Sequence, residues 1–298
     1  MTRRACISAA ACVVLLDARA ALAHDAHDAV SGGPSSWDIA VMLLLVAAAA
    51  MYLRGTMQLH RRGAHVRNVE RVAFWVGWIA MFVAVAPPMD AAAAAAFSSH
   101  MAQHELLMLI GAPLMIVGRP ILPWLWAIPD RMRPAAAVGL QNRGFGGVWR
   151  WLTLPAFAWA LHGAVIWLWH APVLFEAALR SEAVHALQHA SFVGTAVLFW
   201  WGLIYGRYGR AAYGASALFV FVTMMHTGAL GALFTFSTSP YYPLYRERAS
   251  ASAIDAVADQ QLAGLYMWIP SGVVLMIFAL ALLFAWLSES DRRARATS

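Results

Sequence analysis

The stretch His100-Met-Ala-Gln-His104-Glu105-Leu-Leu-Met108-Leu-Ile-Gly-Ala-Pro113-Leu-Met115-Ile-Val-Gly-Arg119-Pro120 decides how this chain is read. It is apolar and long enough to cross a bilayer as a helix, yet it opens with two imidazoles and a carboxylate. Residues four apart share a helix face, so His100, His104 and Met108 form one stripe with Met101 and Glu105 beside it. Ionisable groups inside a span are costly. Their default reading is therefore functional, in contact with a cavity or a bound ion.

The rest of the chain supports a membrane reading. Of 298 residues, 61% are hydrophobic and only 12% charged, a balance that excludes an ordinary soluble domain. Apolar runs at 37–53, 72–87, 100–118, 154–170, 185–205, 211–236 and 262–287 are each near the length of a spanning helix. They predict an all-α, polytopic bundle of about seven transmembrane helices over 37–288. All 21 basic residues are arginine. Fifteen of them fall in the loops after the first, third and fifth runs and in the tail 289–298, against only Arg180, Arg246 and Arg248 in the alternate loops. By the positive-inside rule this puts the N-terminus outside and the basic tail in the cytoplasm, and it explains the high pI without nucleic-acid binding. The lipid environment is expected to be the plasma (inner) membrane of a bacterium.

At the N-terminus, Arg3 and Arg4, the apolar run from Ala5 to Leu16 and Ala21-Leu22-Ala23 have the pattern of a cleaved signal peptide over 1–23. A polar exported segment, 24–36, would follow. Cys6 and Cys12 both lie in the leader, so its removal leaves a chain without disulfides or thiolate metal sites. Ala91 to Ala96 reads as a low-complexity linker. Pro113 and Pro270 each release a backbone carbonyl inside a span, and bends are expected there.

Given that topology, His100 and His104 open the third span from outside, His170 ends the fourth outside, and His185 and His189 open the fifth from outside. His226, beside Met225, lies deeper in the sixth. His-x-x-x-His therefore occurs twice, and each i, i+4 pair can offer two nitrogens to one ion. Imidazole with thioether suits copper, whereas imidazole alone suits zinc or iron. The candidate metal ligands are His100, His104, His185, His189, His226 and Met225. Glu105 is read as a ligand, a hydrogen-bond partner that fixes a histidine tautomer, or a proton acceptor. His170, Asp259, Gln260 and Met267 are read as supporting or partner-contact groups at the same rim. The segment Phe236-Ser-Thr-Ser-Pro240-Tyr241-Tyr242-Pro243-Leu-Tyr245 reads as an interfacial aromatic belt or a docking surface.

Three sets of residues carry a resemblance. They are His100-Met-x-x-His104 with Pro113 and Gly118-Arg-Pro120; Met225-His226 leading to Ser239-Pro240-Tyr-Tyr-Pro243; and Asp259-Gln260-Gln261-x-x-Gly264-x-x-Met267-Trp268-x-Pro270. Together they resemble the multi-spanning CtaG-like cytochrome c oxidase assembly factors, first linked to caa-type oxidases. The resemblance implies an inner-membrane accessory protein that helps to acquire or insert oxidase copper. Oxidase subunits or other copper chaperones would be its partners. The family's motifs map onto His100, His104, His226, Asp259, Gln260 and Met267.

The chain has no Ser/His/Asp triad, phosphate loop or acid pair, so a non-enzymatic assembly role is expected. The alternatives are a b-type cytochrome with haem held between histidines, a di-metal membrane oxidoreductase using the two His-x-x-x-His pairs, and a copper transporter.

Overall fold

In a computed structural model the described residues are 36–140, 142–206, 209–252 and 255–297, and all regular structure among them is helical. The signal-peptide reading of 1–23 and the segment 24–35 lie outside the described residues. The helices are α1 (Ser36–Arg61), α2 (Asn68–Val85), α3 (Pro87–Ala95) and α4 (Phe97–Glu105), which passes through a π-helical turn (Leu106–Gly111) into α5 (Ala112–Val117). They continue with α6 (Ile121–Ala127), α7 (Arg133–Leu140), α8 (Arg143–Leu152), α9 (Pro155–His170), α10 (Pro172–Arg180), α11 (Glu182–Tyr205), α12 (Gly209–Thr235), α13 (Pro243–Ser252) and α14 (Ala256–Thr297).

Six of these runs are long and apolar enough to cross a membrane: α1, α2, Phe97–Val117, α11, Gly214–Thr235 and Ala256–Ser288. A seventh exists if Gly146–Leu152 and Pro155–His170, bent by 63° to each other, form one broken span. The expected fourth span is thus the exception, because Pro155 opens α9 and holds Leu154 in an extended conformation. Proline punctuates other joints in the same way. Pro87 and Pro172 open α3 and α10, each after an extended alanine. The expected linker at Ala91 to Ala96 is instead mostly helix α3. Alanine is the strongest helix former, and Pro87 supplies a ready first turn.

At Pro113 the third span carries a π-helical turn rather than a break. Ala112 N–H reaches back five residues to the Leu107 carbonyl, so the next donor in that π pattern would serve Met108. That donor is Pro113, which has no N–H. The Met108 carbonyl is satisfied by the Trp200 indole N–H of α11 at 3.0 Å, and the third span widens there without leaving an orphaned acceptor. Pro270, by contrast, sits inside the continuous α14.

The most intimate helix pair is α12 with α14. A Cβ on Gly264 would stand 2.4 Å from the Gly231 carbonyl oxygen, and one on Gly231 would stand 2.7 Å from the Gly264 carbonyl oxygen. Only glycine at both positions lets the two backbones touch. Two cores fill the bundle. One packs Met81, Leu107, Phe199, Trp200 and Val220. The other, at the end carrying the histidines, packs Phe97, Met101, Phe175, Phe192, Phe234, Tyr242 and Met267.

Candidate metal centre

The second core is built around imidazoles. Helix α4 brings His100 and His104, 1% and 2% exposed, against His185 and His189 of α11. Ring centroids are 4.4 Å apart for His100 and His104, 4.2 Å for His185 and His189, 5.4 Å for His100 and His185, 5.2 Å for His104 and His189, and 6.4 Å for His100 and His189. With a metal–nitrogen bond of about 2 Å, centroids around one shared tetrahedral ion stand about 5 Å apart. Four of the ring pairs lie near that spacing, at 4.2 to 5.4 Å, while His100 and His189 stand wider at 6.4 Å. Phe175 and Phe192 pack on His100 and His104 and keep the cluster dry.

The hydrogen bonds determine which nitrogens are available. Tyr245 donates its one hydroxyl proton to the Ala93 carbonyl at 2.6 Å, so its oxygen accepts from His100 Nδ1 at 3.1 Å. His100 Nε2 is left with a lone pair, buried and without a partner. Burial pushes the Tyr245 hydroxyl well above the ordinary tyrosine range, so it stays a protonated donor. Both ring nitrogens of His104 and the Nε2 atoms of His185 and His189 are likewise buried without partners. A buried polar atom left unpaired is expensive, and these five nitrogens lie on four rings that, when neutral, each have one lone pair to give, a set of up to four ligands for a cation. Among the described residues, no set of three or more His, Cys, Asp or Glu side chains is arranged to hold an ion as it stands. Closing around one would take ring rotations.

Supporting contacts fix α4. Its N-terminal residue is preceded by Ala96, which has no capping side chain. Asp259 of α14 caps it from across the fold, accepting from Phe97 N–H at 2.7 Å, Ser98 N–H at 3.3 Å and the Ser98 hydroxyl. Gln260 accepts from Tyr241 N–H at 2.7 Å and donates to the Ser239 carbonyl at 3.1 Å. The loop so pinned carries Tyr242, whose hydroxyl donates to the His170 carbonyl at 2.9 Å. Asp259 and Gln260 are thus structural clamps beneath the histidines. The aromatic segment is no loose belt, since Tyr242 and Tyr245 are buried.

Two candidates do not join the cluster. His226 Nδ1 accepts from the Trp167 indole at 3.4 Å, and its Nε2 faces the backbone at Gly163. Met225 is 51% exposed. The reason is register: α12 turns the 225–226 face toward α9 and the bundle exterior, away from α4 and α11. His170 and Met267 lie next to the cluster, lining a cavity with His104, and Glu105 accepts from Ser271 at 2.8 Å. Tyr245 was missed as a histidine partner. Its position, the third residue of α13 and two after Pro243, gave only an aromatic-belt signal.

The bundle, with histidine donors at one end and arginine loops at the other, is that of a polytopic helical membrane protein with a buried donor cluster. Residues 50–289 match the family model of the cytochrome c oxidase caa3 assembly factor, and the chain belongs to that family. It is 27% identical over 254 residues to an uncharacterized protein of Mycobacterium bovis and 24% identical over 250 residues to one of Mycobacterium leprae. These alignments cover 83% and 82% of this chain, which spans 38% of the length of each relative. No solved structure matches.

Proposed function

We propose that this protein serves cytochrome c oxidase assembly by carrying copper on the imidazole cluster of His100, His104, His185 and His189, on the exported side of the membrane. Its family is one of oxidase assembly factors. The observation that carries the copper reading is the set of buried, partnerless nitrogens on two helices at the spacing of ligands to one ion. Copper here is cargo. The protein's own work is to hold lone pairs in place, through Tyr245 on His100 and Asp259 on α4. Rings packed at 4.2 to 5.4 Å leave no slot for a macrocycle between these neighbours, which favours an ion over haem. Membership of a family of assembly factors favours a binding role over catalysis.

The test is deletion of the gene followed by oxidase activity, with and without added copper. Reduced activity that copper restores is expected; normal oxidase in the deletion strain would remove the assembly role. Anaerobic Cu(I) titration of the purified protein tests the cargo. His104→Ala should lose binding while the protein remains in the membrane, and loss of the protein itself would favour a packing role.

A further inference from the structure

Beside the imidazole cluster, between α4, its π-helical turn, α9, α12 and α14, lies a cavity with about 20 Å³ of room for the centre of a water molecule. Its lining includes Met101, His104, Glu105, Met108, His170 and Met267. Met101, His104, Glu105 and Met108 reach it because residues three, four and seven apart share a helix face.

This is an unusual set of groups for a packing defect. His170 Nδ1 donates to the Ile166 carbonyl at 2.7 Å, which leaves the lone pair on Nε2, buried and without a partner. His104 also has no hydrogen bond on either nitrogen, and it belongs to both places: its ring packs on His100 and His189 and also lines the cavity. The three thioethers are neutral, polarizable donors that lose little when kept from water. Thioether with imidazole is a soft set that selects Cu(I) over harder ions. Glu105, anchored by Ser271 at 2.8 Å, is the acidic group in the lining able to balance a single positive charge.

We propose that this cavity is a second station for a soft monovalent cation, Cu(I), held by Met101, Met108, Met267 and His170 and reached from the imidazole cluster through His104. The proposal rests on the copper reading above and adds a site to it. The ion moves as Cu(I) throughout by exchange of ligands, so no electron is transferred and no reductant is required. Two stations sharing one imidazole give a short path by which an ion passes between helices without meeting lipid.

The experiment is anaerobic titration with Cu(I) of the purified full-length protein carrying Cys6→Ser and Cys12→Ser, so that thioethers are its only sulfur donors, read by bound equivalents and by X-ray absorption at the copper edge. The otherwise unaltered protein should take up two equivalents and show sulfur as well as nitrogen neighbours. Met101→Leu with Met267→Leu, a nearly volume-conserving pair, should lose one equivalent and the sulfur shell. His185→Ala with His189→Ala should retain a sulfur-bound equivalent. One equivalent with nitrogen neighbours only in the otherwise unaltered protein would overturn the second station and leave the first intact. No bound copper at all would overturn the copper reading itself. Because the otherwise unaltered protein already discriminates these outcomes, a variant that failed to fold would not rescue the proposal.

Discussion

At the scale of single residues, the important fact is which imidazole nitrogen carries a proton. Tyr245 has one hydroxyl hydrogen and two neighbours, Ala93 O and His100 Nδ1, and this arithmetic leaves His100 Nε2 as a base. Tyr245→Phe removes both contacts, stranding a buried carbonyl and a buried N–H. Stability should fall by about 1–3 kcal/mol, read as a lowered Tm in detergent. Copper affinity should fall about 10-fold or more, as when a ligand's hydrogen-bond partner is removed, read by competition with a Cu(I) chelator. His226 provides the contrast. With its Nδ1 accepting from Trp167 and its ring apart from the cluster, His226→Ala should leave the number of bound copper equivalents unchanged. A lost equivalent would restore His226 to the ligand set.

At the scale of elements, α4 is short, begins after an alanine and carries the two most buried histidines. Such a helix depends on what holds its exposed N–H groups. Asp259 does so from a residue more than 150 positions away in the chain, and the contact also binds α4 to α14. Asp259→Ala should cost about 0.5–2 kcal/mol, the usual worth of a cap. Amide hydrogen exchange should rise at Phe97 and Ser98 while the π-helical turn, held by Trp200 at Met108, stays protected. If the two regions loosen together, the cap and the turn form one cooperative unit.

At the scale of the whole molecule, the bundle closes where α12 meets α14 through Gly231 and Gly264. Gly264→Val has no room, because even a Cβ would stand 2.4 Å from the Gly231 oxygen and from Thr235 Oγ1. The variant should separate the helices, loosen the second core and reduce the amount of protein in the membrane. Gly194→Ala in α11 has open space around it and should accumulate normally, with a small gain from better helix propensity. Equal losses for both, measured by immunoblot of membranes, would show that the glycine contact is not what closes the bundle.

Much of this was legible in the chain itself. Composition and apolar run length determined an all-helical membrane bundle, because a bilayer allows a spanning backbone few other ways to satisfy its polar groups. Helical spacing determined that His100 with His104, and His185 with His189, lie in pairs on single faces. Sequence could not determine which faces turn toward each other. That depends on helix rotation and close approach, set by distant contacts such as Gly231 with Gly264 and Asp259 with α4. Only the tertiary structure therefore separated His226 and Met225 from the cluster, enlisted Tyr245 from a segment that read as an aromatic belt, and put Met267 and His170 around a shared cavity. The 63° bend before α9 escaped a reading by length for a similar reason, since a proline joint sets an angle that residue counts do not contain.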